Sequence, residues 1–182
     1  TTNGPAISNA VVTNASCNGG SDGAVDITIA GGTPGYTYLW SNSAVTEDVT
    51  GLSSGSYTVT VTDINSCSAT ASYTISQPQV VTSTGTVTDA LCNGSANGNI
   101  DITPTGGNGT YTYLWSNTEV SQDVSGLVAA TYTVTITDQN GCTGVSSYVV
   151  NQPNSLSASL VVTNLTCNGV PTGSVNLSVF GG

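Results

Sequence analysis

The chain repeats itself every 75 residues without insertion or deletion, and that period sets the size of anything it can fold into. Cys17, Cys92 and Cys167 fall in register, as do Cys67 and Cys142, Trp40 and Trp115, and the pairs Gln77-Pro78 and Gln152-Pro153. The block Gly55-Ser-Tyr57-Thr-Val-Thr-Val-Thr-Asp63-Ile-Asn65-Ser66-Cys67 returns as Ala130-Thr-Tyr132-Thr-Val-Thr-Ile-Thr-Asp138-Gln-Asn140-Gly141-Cys142. Tyr57, Val59 and Val61 alternate with Thr58, Thr60 and Thr62, the period of a strand with one apolar and one hydroxyl face. The Asp-x-Asn-Ser/Gly step that follows carries hairpin chemistry: an Asx side chain that folds onto its own backbone, then a residue that tolerates positive φ. A further strand follows, with Ala69, Ala71, Tyr73 and Ile75 on one face.

The same reading places strands around residues 10–13, 24–30 and 36–41, and a short strand pair within 45–52. Val25, Ile27 and Ile29 point inward, and Tyr36, Tyr38 and Trp40 share a face. The second repeat follows suit with Ile100, Ile102, Tyr111, Tyr113 and Trp115, and Val175, Leu177 and Val179 begin a third. Six or seven short strands separated by turn signals describe a small immunoglobulin-like β-sandwich. Tyr57 and Tyr132 sit where a tyrosine corner belongs, and with Trp40 and Trp115 they are the expected core. The expected domains are residues 1–79, 80–154 and an incomplete third repeat, 155–182, holding two strands; that stop in mid-repeat implies that the natural protein continues. The short Gln-Pro joints leave little slack, so the all-β repeats are expected to stack end to end as a stiff rod.

Composition narrows function mainly by exclusion. Lys, Arg and His are absent from the 182 residues, and ten acids give a formal charge of −10. Without cations there is no phosphate clamp, which argues against nucleic acid and anionic membranes. No side-chain ion pair can form, and no apolar run is long enough to span a membrane. Five cysteines recurring in small β units point to an oxidising, extracellular setting, where a cross-link supports a core that is marginal by itself.

Several blocks occur in order at matching spacing: Cys17-Asn-Gly-Gly-Ser-Asp-Gly23, Gly31-Gly-Thr-Pro-Gly-Tyr-Thr-Tyr-Leu-Trp-Ser-Asn42, the Gly55–Asp63 strand and Gln77-Pro78. In this the chain resembles the SprB-type repeat of very long cell-surface adhesins of gliding Bacteroidota. Both full repeats and the start of the third carry the resemblance; Ser66, Ala130 and Gly109-Thr110 depart from its pattern, all at turns. The resemblance implies a secreted, surface-exposed adhesin or filament with no catalytic residue.

Cys17, Cys67, Cys92 and Cys142 are the candidate structural disulfide residues. Pairing within repeats (Cys17–Cys67, Cys92–Cys142), pairing across the joint (Cys17–Cys142) and free thiols all stay open. Cys17 precedes the second strand and Cys67 follows the sixth-strand turn, which ordinary sandwich topology places at opposite ends; an end-to-end stack instead brings Cys142 toward Cys17. Asp22, Asp63 and Asp138 are candidate calcium ligands, although hairpin turns account for the last two. No other metal or cofactor is expected: there is no Cys-x-x-Cys and no His. Glu47 beside Asp48 is no acid–base pair, because neighbours on a strand face opposite ways and Glu47 becomes Gln122; the chain is not expected to be an enzyme.

The rows Thr58, Thr60, Thr62 and Thr133, Thr135, Thr137, with Thr70, Ser72 and Thr74 beside them, offer a hydroxyl face to carbohydrate or ice, or are simply favoured solvent-side strand residues. Asn14, Asn93, Asn108, Asn164 and Asn176 head glycosylation-like triplets that arise readily in so Asn- and Ser-rich a chain. The expected role is a structural and adhesive stalk at the cell surface, with a carbohydrate- or ice-binding module as the alternative. Its partners would be adjacent repeats, identical chains in a filament, and surface polysaccharide or other cells through many weak contacts.

Overall fold

In a computed structural model, described for residues 4–164 and 173–182, every regular element is a strand. In the first repeat β1 (Pro5–Thr13), β2 (Gly23–Gly31) and β4 (Val49–Leu52) form one antiparallel sheet in the order β1-β2-β4. The second sheet is β3-β5-β6, from β3 (Thr37–Trp40), β5 (Gly55–Thr62) and β6 (Ser68–Ile75). In immunoglobulin lettering these are A-B-E and C-F-G, the Greek-key division of strands that defines an immunoglobulin-like sandwich.

Alternation makes the core. On β5, Val59 and Val61 are fully buried; they lie opposite Trp40 and Tyr38 of β3 and opposite Ala71 and Ala69 of β6. Val25 and Ile27 of β2, Val49 and Leu52 of β4, and Ile75 of β6 close the same cluster from both sheets. Trp40 is 2% exposed, and its indole N–H donates to the Thr46 carbonyl at 2.9 Å, so the large ring is buried without an orphaned donor. Truncating such a side chain costs about 3–5 kcal/mol. Tyr57 is half-buried and its hydroxyl donates to the Ser53 carbonyl at 3.0 Å, the bond that defines a tyrosine corner.

Two expectations need correction. The first strand begins at Pro5, well before residue 10, because a bulge between Ile7 and Asn9 carries the pairing past the polar Ser8-Asn9 step. Residues 45–48 form no strand, so β4 stands alone. That segment is committed to local bonds: Ala44 O accepts from Trp40 N, Thr46 O from the indole, and Asp48 O from the Thr46 hydroxyl.

The second repeat has the same plan: β7 (Thr82–Thr88), β8 (Gly98–Thr105) and β10 (Val124–Leu127) in one sheet, β9 (Tyr111–Trp115), β11 (Ala130–Asp138) and β12 (Thr143–Val150) in the other. Ile100, Ile102, Val134 and Ile136 are fully buried, Trp115 is 2% exposed, and Tyr132 is buried with its hydroxyl on the Val128 carbonyl. Of the third repeat, β13 (Ser157–Thr163) and β14 (Ser174–Phe180) pair antiparallel. Cys167 lies outside the described residues.

The chain divides into two compact units: one of Thr1–Val81, Thr105–Tyr111 and Thr137–Gly144, the other of Thr82–Pro104, Thr112–Ile136 and Val145–Gly182. The first unit thus joins the whole first repeat to one loop and the cysteine-bearing turn of the second.

Candidate functional site

The candidate site is built from a turn, a loop and a linker, all in the first unit. The turn is the Asp138–Cys142 step between β11 and β12. Asp138 Oδ1 accepts from Asn140 N at 2.9 Å and from Cys142 N at 2.8 Å, while Oδ2 accepts from Asn108 N at 2.8 Å. Gly141, at φ 84°, takes the left-handed position that closes the turn. The carboxylate is 5% exposed, and its bonds from the Asn140 and Cys142 amides fix the turn that carries Cys142, itself buried. Burial pushes the Asp138 carboxyl up, but the N–H groups of Asn108, Cys142, Asn140 and Gly141 outweigh it and hold the group below its ordinary value.

The loop follows β1. Ser16 N donates to Asp22 Oδ1 at 3.0 Å, and Gly20 N donates to the Cys17 carbonyl at 3.0 Å. The linker then clamps it: Asn18 Nδ2 donates to the Pro78 carbonyl at 3.0 Å and Gly19 N to Gln77 Oε1 at 2.8 Å. Ala15 N to Ser76 O and Ser76 N to Asn14 Oδ1 complete the attachment of the loop to the far end of β6.

Loop and turn meet in a disulfide. Cys17 and Cys142 are bonded, with Cα atoms 5.5 Å apart and a sequence separation of 125. Asn140 Nδ2 donates to the Ser16 carbonyl at 3.4 Å, and the Cys142 sulfur rests 3.3 Å from that same oxygen. A concavity of about 300 Å³ beside the bond is lined by Asn18, Gln79, Val81 and Thr143 as well as the two cysteines.

Pairing within repeats does not occur: Cys17 bonds Cys142, and Cys67 and Cys92, expected among the disulfide residues, are free thiols in this chain. The reason is distance along the sandwich. Cys67 adjoins the first residue of the eight-residue strand β6, while the Cys17 loop is fastened to residues just past its last. At the rise of a strand that is about 24 Å, far beyond the roughly 7 Å between Cα atoms that a disulfide spans.

The Asp63 turn repeats the chemistry of Asp138. Asp63 Oδ1 accepts from Asn65 N and Cys67 N, both at 2.9 Å, and Oδ2 from Thr33 N at 3.0 Å. The Thr33 N–H first, then those of Cys67 and Asn65, hold its carboxyl below the usual range against burial. The Ser16 hydroxyl and N–H do the same for Asp22. As calcium candidates, Asp22, Asp63 and Asp138 are not brought together. Among the described residues no three metal-ligating side chains cluster, and both oxygens of Asp63 and of Asp138 are aimed at amides.

The hydroxyl rows lie on the central strands β5 and β11, half-buried between neighbours. Thr58 bonds Ser72 at 2.8 Å, Thr60 bonds Thr70 at 3.4 Å and Thr133 bonds Ser147 at 3.1 Å, so much of the array is spent on cross-strand pairs. In the second repeat Thr62 and Thr60 recur as Thr137 and Thr135, but Thr70 and Thr74 become the exposed Val145 and Val149, which interrupt the hydroxyl face.

The Asn18–Pro78 and Gly19–Gln77 clamp escaped the reading of the sequence. Its signal was present: Asn18 and Gln77 recur at the repeat period as Asn93 and Gln152, and the same bonds re-form there, Asn93 Nδ2 to Pro153 O at 3.1 Å and Gly94 N to Gln152 Oε1 at 2.7 Å.

No curated protein matches the sequence. Among solved structures, the eight N-terminal immunoglobulin domains of Down Syndrome Cell Adhesion Molecule align at TM-score 0.41 and 9% identity, over 82% of this chain and 25% of that one. The DIP-gamma IG1+IG2 pair aligns at 0.43 and 9%, over 84% and 99%. Domains 4–9 of the surface layer protein SbsC align at 0.37 and 15%, over 96% and 36%. Likenesses this distant carry no argument, and the sandwich assignment rests on the strand order and the shared core. The SprB repeat model matches residues 9–45, 84–120 and 159–182, more than half of the sequence, and the chain belongs to the SprB repeat family.

Proposed function

We propose that this chain is a segment of an extracellular filament or giant surface adhesin, in which it extends from the cell and carries tension through covalently tied repeats. The observation that carries the reading is the Cys17–Cys142 bond, which fastens a loop of the first repeat to a turn of the second. Its mechanical consequence is that tension between the chain's ends crosses the bond, so the strands between the two cysteines are shielded while β1 and β12, outside the closed loop, still bear load. Membership of the SprB repeat family and the periodic cysteines support a surface setting, and a gliding Bacteroidota cell is part of the same proposal. The sequence-defined repeats serve as the modules of this stalk. Adhesion would come from weak contacts with polysaccharide or other cells summed along its length, and the absence of Lys and Arg leaves trypsin-like proteases no cleavage point.

Single-molecule pulling tests the mechanical role. With the bond closed, the loop spanning the 125-residue separation of the cysteines cannot be drawn out, which locks about 400 Å of contour at the reach of an extended chain. Stretching the oxidised chain by its ends should therefore fall short of the reduced chain by that length. Equal extension in the two states would sink the tension-carrying role.

A further inference from the structure

The loop half of the bonded joint recurs in the second repeat. The loop after β7 copies the loop after β1 bond for bond. Leu91 N donates to Asn97 Oδ1 at 3.0 Å where Ser16 N donates to Asp22, and Ser95 N donates to the Cys92 carbonyl at 3.1 Å where Gly20 N donates to Cys17. The linker clamp through Asn93 and Gln152 is also the same. In this preformed cradle Cys92 is exposed and free, beside a concavity of about 310 Å³ walled by Leu91, Asn93, Pro153 and Leu156. A turn of the complementary kind stands unbonded in the same chain. Cys67 is a free thiol on a turn built like that of Cys142, and it lies against Gly4 at the start of the first repeat, as Cys142 lies near Gln79 and Val81 at the start of the second.

We propose that Cys92 is an acceptor site for the cysteine of an Asp-x-Asn-x-Cys turn from another SprB repeat, and that Cys67 is the matching donor. Each loop cysteine then pairs with the turn cysteine of the repeat that follows it, and an array is closed by overlapping disulfides rather than by one bond per sandwich. The inference rests on the reading of the joint as an oxidised, extracellular connection.

The chemistry is thiol–disulfide exchange with a small disulfide such as oxidised glutathione. The Cys92 thiolate attacks one glutathione sulfur, forming a mixed disulfide and releasing one glutathione thiolate. The turn thiolate then attacks the Cys92 sulfur, the Cys92–turn bond forms, and the second glutathione leaves. Two thiols lose two protons and two electrons, and one glutathione disulfide becomes two thiols.

The test is a disulfide map of the protein taken from its own cells, with free thiols alkylated before digestion by a protease that cuts at aromatic residues. Cys92 joined to a turn peptide outside residues 1–182 supports the proposal with a following repeat as the source; Cys92 joined to Cys67 in a species of doubled mass supports it with a second copy. Cys92 recovered alkylated, or joined to Cys167, overturns it. Mixing purified C67S and C92S chains with oxidised glutathione checks the second-copy source: a Cys92–Cys67 heterodimer should form only in the mixture, and equal self-dimerisation of either variant alone would contradict it. If Cys17–Cys142 is itself missing from the map, the tension-carrying reading of the joint has failed; if it is present and Cys92 is free, only this proposal has.

Discussion

The turns at Asp63–Cys67 and Asp138–Cys142 are the same local object, yet only one holds a disulfide. In each, the aspartate accepts from the amides two and four residues on and from one loop amide of its own sandwich, at 2.8–3.0 Å. They part at the next shell. Asn65 turns back to the Thr33 hydroxyl at 2.8 Å, whereas Asn140 reaches the Ser16 carbonyl and Cys142 reaches Cys17. The difference teaches that the turn presents a cysteine but does not choose its partner. The choice belongs to whatever loop is delivered opposite it.

Removing the bond is the strongest way to break the comparison. The chain-entropy model assigns about 5 kcal/mol to a closed loop of this length, against about 2–4 kcal/mol for typical disulfides. Cys142→Ser should therefore lower the denaturant midpoint of the first unit by a corresponding amount, followed by tryptophan fluorescence. Cys67→Ser should change it by less than about 0.5 kcal/mol. Equal losses in the two variants would mean that the turns are not distinguished by the bond.

Acid should act on both turns alike. The folded-state carboxyls of Asp63 and Asp138 lie below their ordinary values, so the stability they contribute is fully present above the unfolded carboxylate range, near pH 4, and is lost as pH falls through the depressed folded values. Unfolding midpoints measured from pH 7 downward should stay flat to about pH 4 and then drop. The paired Asp63→Asn and Asp138→Asn variant should be less stable at neutral pH and lose much of that drop; an unchanged acid limb would show that other groups set it.

The smallest effect separates the turns by one residue. Ser66 sits at φ 66° where its counterpart is Gly141 at φ 84°. A left-handed conformation costs an ordinary L-residue about 1–2 kcal/mol, and the greater chain entropy of glycine returns about 0.5–1 kcal/mol of that. Ser66→Gly should stabilise the first repeat by about 0.5–1 kcal/mol and Gly141→Ser should destabilise by a similar amount. A Cβ at Gly141 would meet nothing within 4 Å, so the second change is purely conformational. Opposite signs in thermal melts would show that the turns are held by more than backbone preference.

Most of the sandwich is legible in the sequence. Period-2 alternation in Tyr57–Val61 and its copy places the central strand, and Trp40 and Trp115 supply residues too large to leave in water, so burial of one face follows directly. Where legibility failed, the chain uses polar groups locally. Residues 45–48 look like strand, but the Thr46 and Asp48 carbonyls serve the indole and a turn, and the first strand, expected around residues 10–13, runs back to Pro5 across a bulge between Ile7 and Asn9. The linker clamp was written in the recurrence of Asn18 and Gln77, but a polar residue recurring in a loop carries no sign of which backbone group it will bond.

What the sequence determined by itself is therefore the repeat length, the strand faces, the two cysteine turns and the absence of any cationic chemistry, because each depends on neighbours within a few residues or on composition alone. Only the tertiary structure decided that Cys17 bonds Cys142 and that Cys67 and Cys92 stay free. A disulfide needs two Cα atoms within a few ångströms, and that proximity is set by which end of a sandwich each loop occupies, a property of the folded sheets that no local pattern encodes.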